Sequence, residues 1–181
     1  MPPDLDVDIA LECEGWSAKL ENVEAISNAA ARCGFEHASA DGAGVFEPSA
    51  EVCIVLGSDD DVRQLNRDYR GLDKPTNVLS FANLEEGTST APVGHPDGAP
   101  LLLGDIIIAL ETVEREAGQE NKRLEHHLSH MIVHGMLHLL GYDHESENEA
   151  REMEALEVKA LAELGINNPY DDQHLSEGRK Q

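Results

Sequence analysis

Cysteine is scarce in this chain: Cys13, Cys33 and Cys53 are the only three in 181 residues, they form no C-x-x-C pair, and each sits among apolar neighbours. Neither a disulfide framework nor a thiolate metal site is expected, and a reducing cytoplasm is the expected location. Long apolar runs are also missing. None approaches the ~18 residues of a membrane-crossing helix, so no membrane association is expected. The opening MPPDLDVDIA has neither a basic nor an apolar stretch, so no secretory signal is expected. Basic residues are few. Thirteen Lys and Arg face 36 Asp and Glu, a formal charge of −23 at pH 7. That balance excludes the broad basic face of a general nucleic-acid binder, so any nucleic-acid function needs a local basic site within a repelling surface. Solubility, or adaptation to a salty cytoplasm, is the plainest account of the acid excess.

What is present is a globular composition. With 40% apolar and 27% charged residues, the chain is long enough for one domain with its own core and too short for two comfortable ones. Large apolar residues recur at every second position from Leu5 to Cys13, the period of a half-buried strand. An Ala- and Glu-rich stretch from Leu20 to Cys33 reads as a helix, with Gly34 as its stop. A loose stretch, Glu36 to Pro48, leads to a strand over Glu51 to Leu56. Ser58 and Asp59 are N-cap candidates for a helix through Asp61–Arg70 that closes at Gly71, and Thr76 to Phe81 reads as a third strand.

The stretch from Asn83 to Pro100 is loop material, rich in Gly, Pro, Ser and Thr. Leu101 to Leu110 has the composition of a buried strand, followed by a helix at Glu111–Gln119. Leu124 to Leu140 is apolar on nearly every side, which predicts a buried helix. Glu147 to Leu164 is a last helix, ending at Gly165. There is no internal repeat. The expectation is a single α/β domain (α+β in its mixed layout) over 1–166, with a small sheet around a central buried helix and a frayed tail over 167–181.

Six of the nine histidines fall between residues 126 and 144. At ~100° per residue, His134 and His138 lie about 40° apart on one helix face, so their imidazoles can share one metal ion. Gly141 lets the chain turn, and the turn can bring His144 back as a third ligand. Three neutral nitrogens suit zinc and leave a coordination position open, as catalytic sites do; nickel, cobalt and copper are the alternatives. His130 and His127 lie on the same face one and two turns earlier and read as second-tier groups or substrate contacts. No role is expected for His126, His37, His95 or His174. The H-x₃-H-x₂-G-x₂-H spacing is that of the metzincin proteases, but Gly135 stands where those enzymes carry their glutamate base. Peptide hydrolysis is demoted accordingly.

Four of the thirteen bases fall in Arg63–Lys74. Arg63, Arg67 and Arg70 share a helix face, and Lys74 follows in the turn. This stripe is the best candidate for holding a phosphate, because guanidinium groups offer paired planar donors. An ordinary exposed face paired with neighbouring acids explains the same spacing, and on spacing alone it is the better account. Lys74-Pro75-Thr76-Asn77 forms a rigid turn into the following strand.

His134-Gly-Met-Leu-His138-Leu-Leu-Gly-Tyr-Asp-His144 resembles the signature of the YbeY family of bacterial endoribonucleases and rRNA maturation factors. The stretch from Leu65 to Phe81, and Leu103-Gly104-Asp105-Ile106, resemble that family's other motifs. Glu152 to Glu157 and Asn168-Pro169-Tyr170 are similar to it as well. The departures are Ala82, where many members have proline, and a longer loop over Glu85–Pro100; neither touches the expected site. The resemblance implies a metzincin-like fold with a small mixed sheet, and one zinc-type ion on His134, His138 and His144. It implies that Arg70 matches a functional arginine beside the metal; Arg63, Arg67 and Lys74 of the basic stripe are the candidates for further RNA contact. The implied activity is cleavage of single-stranded rRNA in 16S 3′-end maturation and late ribosome quality control. The small ribosomal subunit, its proteins and an assembly GTPase are the implied partners. Arg70 would stabilise charge on the phosphoryl group; Asp143 is expected to orient a histidine, and the general base is unassigned. A non-enzymatic assembly factor with a structural metal, and a metalloprotease, are the alternatives.

Overall fold

A computed structural model describes residues 4–42, 49–83 and 100–170. The chain runs β1 (Asp4–Leu11), α1 (Gly15–Lys19), α2 (Val23–Ala40), β2 (Ser49–Gly57), α3 (Asp59–Arg70), β3 (Val78–Ala82), β4 (Leu101–Ala109), α4 (Leu110–Gln119), α5 (Leu124–Leu139) and α6 (Glu147–Glu163). The strands form one sheet in the order β1-β2-β4-β3. β1 and β4 are parallel to β2, and β3 is antiparallel to β4, so the sheet is mixed.

Strand alternation assigns the two faces. Leu5 of β1, Ala50, Val52, Ile54 and Leu56 of β2, and Ile106 and Ile108 of β4 belong to the main core with α2, α5 and α6. On the other face Leu79, Ile107 and Ala109 pack with Val62 of α3, edged by Val55, Leu65 and Phe81. β4 manages both because it is bulged. Glu51 pairs with Leu102 but Val52 pairs with Gly104, so Leu103 is the extra residue. The bulge shifts the inward set from Leu101 and Leu103 to Ile106 and Ile108, all of them buried. Gly104 carries φ +140, and a Cβ there would stand 2.1 Å from the Phe81 carbonyl oxygen, so the β3–β4 ladder requires glycine at this place.

The ends of α3 follow from local chemistry. Ser58 and Asp61 form a reciprocal capping box, and Gly71 closes the helix at φ 69. Asn66 is buried and donates to the Lys74 carbonyl at 2.9 Å, which ties the turn after α3 back onto the helix. α5 is buried along most of its length, as its all-round apolarity predicts. No helix among the described residues is long and apolar enough to cross a membrane.

Two expectations are corrected, and one short helix is added to them. Gly34 does not stop α2, which continues to Ala40 and includes the first residues of the expected loose stretch. A Cβ at Gly34 would lie 3.3 Å from the Met136 Cβ and 3.5 Å from the Val133 Cα, so this glycine allows α2 and α5 to approach closely. The short α1 was not anticipated; it buries Trp16, whose indole donates to the Gly57 carbonyl at 2.9 Å. The tail does not fray at Asn167: Pro169 accepts from the Lys122 ammonium, and Tyr170 reaches into the interior. The remainder of the expected tail, 171–181, and most of the expected loop, 84–99, lie outside the described residues.

Candidate metal centre

α5 presents His134 and His138 one turn apart, and the turn through Gly141, at φ 96, brings back His144. The three rings converge, with centroids 4.5 Å (134–138), 5.2 Å (138–144) and 5.9 Å (134–144) apart. One nitrogen from each lies within 4.8 Å of the others. The His134 and His138 Nε2 atoms are 3.0 Å apart, against the ~3.3 Å that two imidazoles on one tetrahedral zinc would span.

The network behind the histidines fixes what they offer. Glu157 of α6 is fully buried, yet it is a carboxylate. His134 Nδ1–H donates to its Oε1 at 2.5 Å, and His130 Nε2–H donates to its Oε2 at 3.3 Å. The Tyr170 hydroxyl donates to the same Oε2. Burial pushes the Glu157 carboxyl upward, but the hydrogen bonds from His130 and His134 outweigh it and hold the group at about 2. An ionised Glu157 holds the proton of His134 on Nδ1 and leaves a lone pair on Nε2, aimed at His138 Nε2. At 3.0 Å the two nitrogens share a hydrogen bond when His138 carries its proton on Nε2, and turn two lone pairs toward one ion when it carries it on Nδ1. The His138 imidazole is pushed below its ordinary range by burial, then by His134 and His144, which favours the neutral form that binds metal. The donor set, tautomer and spacing therefore fit a transition-metal ion.

His130 sits beneath His134 through the shared Glu157, with its ring edge-on to Tyr170 at 5.6 Å. His127 is one step further in. It is buried, and its Nε2 pairs with Glu116 Oε2 at 2.7 Å; Glu116 in turn accepts from the Asn77 amide at 3.2 Å. Burial pushes the His127 imidazole down despite that carboxylate. Asp143 accepts from the His144 backbone N–H at 2.7 Å, and its carboxylate lies 3.9 Å from His144 Nδ1.

The basic stripe is placed differently. Arg63 makes a two-pronged pair with Asp73, at 2.8 and 3.2 Å, and Arg67 lies 3.6 Å from Asp68. Arg70 is exposed at the end of α3 and, among the described residues, has no hydrogen bond or ion pair; the Lys74 side chain likewise has none. α3 packs on the sheet face opposite α5, with Tyr69 tilted against Phe81 of the edge strand β3 at 5.5 Å. Gly135 faces the sheet. A Cβ there would meet Ile106 Cγ2 at 2.9 Å and Ser80 Oγ at 3.2 Å.

Sequence reasoning assigned no role to Glu157, Tyr170 or Glu116. A signal for Glu157 exists: it lies in the buried stripe Met153, Leu156, Ala160, Leu161 of α6, where an acid has to find partners. Tyr170 and Glu116 carry no comparable mark in the sequence.

Comparison with known proteins agrees with this geometry. The family model described as Endoribonuclease YbeY matches residues 17–165. A protein of that name from Paramagnetospirillum magneticum is 49% identical over 170 residues, which is 93% of this chain and 98% of the relative. One from Rhodopseudomonas palustris is 48% identical over 177 residues, covering 96% of this chain and 93% of its own. The solution structure of a Thermotoga maritima protein aligns with a TM-score of 0.53 and 25% identity, covering 94% of this chain and 93% of that one. With a converging triple-histidine centre backed by a buried carboxylate, and a family match over most of its length, the chain belongs to the YbeY family.

Proposed function

We propose that this chain is a metal-dependent endoribonuclease acting on single-stranded rRNA, in maturation of the 16S 3′ end and in quality control of late small subunits. The observation that carries the reading is the His134–His138–His144 centre, with Glu157 fixing the tautomer of His134, in a chain of this family. Zinc is the ion this donor set favours. When bound, it supplies a Lewis acid for a non-bridging phosphate oxygen and for the attacking oxygen.

The chain's own residues do the remaining work. Glu157 holds His134 by its Nδ1–H, and His130 and Tyr170 hold Glu157, so the ligand face is rigid before substrate arrives. Asp143 tethers the backbone of His144. Arg70, without an ion pair among the described residues, reaches the phosphoryl group around the β3 edge, where its guanidinium stabilises developing charge. Arg63, Arg67 and Lys74 extend that contact along the RNA; Arg63 first has to release Asp73. Association with the small subunit, its proteins or an assembly GTPase offsets the repulsion of a −23 chain from RNA.

The arrangement of a helix pair of histidines and a third after a glycine turn is metzincin-like, and Gly135 separates it from the proteases. Its missing side chain would point into Ile106 and Ser80, so the position serves helix–sheet contact and has no room for a carboxylate. The test compares wild type, Arg70→Ala and His134→Ala, each with metal content measured, on a single-stranded RNA ending in the 16S 3′ precursor sequence. Cleavage by wild type that is lost on chelation, restored by one metal, lost in His134→Ala and reduced in Arg70→Ala is expected. Equal cleavage by all three, or none by a metal-loaded wild type even on assembled subunits, overturns the reading.

A further inference from the structure

A second convergence of ligand atoms lies where α2 meets the C-terminal end of α6. Cys33 and His37 stand one turn apart on α2, and Glu163 reaches them from the last turn of α6. Their sulfur, imidazole nitrogen and carboxylate oxygen all lie within 4.8 Å of one another. We propose that Cys33, His37 and Glu163 form a second transition-metal site, of the zinc class, that clasps α2 to α6.

Geometry and chemistry support the assignment. The Cys33 Sγ to Glu163 Oε2 distance is 3.6 Å, against the ~3.5 Å that sulfur and oxygen ligands span on one tetrahedral zinc. His37 Nε2 and Glu163 Oε2 are closer, at 2.5 Å, and have to part by under ~1 Å to admit an ion. Cys33 is 5% exposed, but the other two groups line an open surface, with side chains 26% and 58% exposed, which leaves a path for the ion and a position for water. Absence of a C-x-x-C pair argues against a thiolate site in the sequence; here the second and third ligands are an imidazole at i+4 and an acid 130 residues away.

The metal class follows from the thiol. Burial first, and then Glu163, push Cys33 up to about 12, so its sulfur is protonated and donates to the Ala160 carbonyl at 3.1 Å. Binding releases that proton to solvent and exchanges the Ala160 hydrogen bond for a metal–sulfur bond. Only an ion with strong thiolate affinity does this; magnesium and calcium do not. The nearby Glu36 adds to the local negative field. Because Glu163 and Glu157 share α6, the clasp steadies the helix that carries the support of His134.

The test is cobalt reconstitution of the full chain after chelation. Wild type is expected to take up two cobalt ions and to show a near-ultraviolet sulfur-to-cobalt charge-transfer band. Cys33→Ser should bind one ion and lose the band; His138→Ala should also bind one ion but keep it. The half-buried variant His37→Ala guards against misfolding: its circular dichroism spectrum without metal should match wild type, and it should lose the band. One cobalt per wild-type chain with no charge-transfer band, or a band that survives in Cys33→Ser, overturns the proposal. Loss of RNA cleavage with the band intact leaves the second site standing, so this test and that of the nuclease reading fail separately.

Discussion

α5 and α3 both carry functional candidates at helical spacing, but they sit on opposite faces of the sheet and are held in different ways. On α5, His134 is backed by Glu157, which is backed by His130 and Tyr170; Glu157 and His130 are buried, and His134 and Tyr170 are half-buried. On α3, Arg63 and Arg67 answer to neighbouring acids on an exposed face, and Arg70 answers to nothing described. Burial forces polar groups to find partners, so the histidine face has one arrangement. Solvent imposes no such demand, and the arginines keep their freedom until a ligand arrives. The lesson is that preorganisation lies on the metal side and adaptability on the proposed phosphate side.

The sharpest way to break this contrast is at Glu157. Glu157→Ala leaves His130, His134 and Tyr170 without their common acceptor, and removing one partner of a buried ionic cluster costs about 3–5 kcal/mol. A denaturant titration of the metal-free protein reads that loss. The milder Glu157→Gln retains the volume but no longer fixes the proton on His134 Nδ1, and metal affinity should fall about 10–100-fold. An unchanged affinity would show that the histidines hold their geometry without the carboxylate.

Gly135→Ala comes next. Its Cβ meets Ile106 and Ser80 at 2.9 and 3.2 Å. Overpacking of this kind costs about 1–3 kcal/mol, and because His134 and His138 flank the site, the metal should also bind more weakly. A stable, fully loaded Gly135→Ala would mean that the helix–sheet contact yields, and would reopen the position to a carboxylate.

How much of this was legible depended on where each residue lies. The three histidines were readable because ligand spacing on a helix is a local property, and the glycine turn to His144 is local as well. The caps of α3 were readable for the same reason. Gly34 misled because a glycine after an Ala-rich run looks like a stop, whereas its cause is Met136 and Val133, a hundred residues away. Cys33, His37 and Glu163 were invisible as a set because two helices distant in sequence meet there. Tyr170 was read as part of a tail because nothing local reveals that it closes on Glu157. Local chemistry was legible; the partners supplied by tertiary packing were not.

On the α3 side the effects should shrink. Ser58→Ala removes the hydroxyl that accepts from Asp61 N–H and dismantles the capping box, at a cost of about 1 kcal/mol. Thermal unfolding reads this, and metal content should not change, since the cap and the histidines share no contact.

The smallest expected effect on stability is also the most informative about function. Arg63→Ala removes an exposed pair with Asp73, and exposed pairs contribute little because water and salt screen them. Its melting temperature should match wild type. If the stripe contacts RNA, the same variant should cleave more slowly at low salt, with a shallower dependence of rate on salt, because one fewer phosphate is neutralised. If both melting temperature and salt dependence match wild type, Arg63 belongs to the solvated face and the phosphate contacts narrow to Arg67, Arg70 and Lys74. If the salt slope falls while stability holds, the exposed face of α3 is a binding surface whose order comes from its ligand, which is the contrast with α5 in its strongest form.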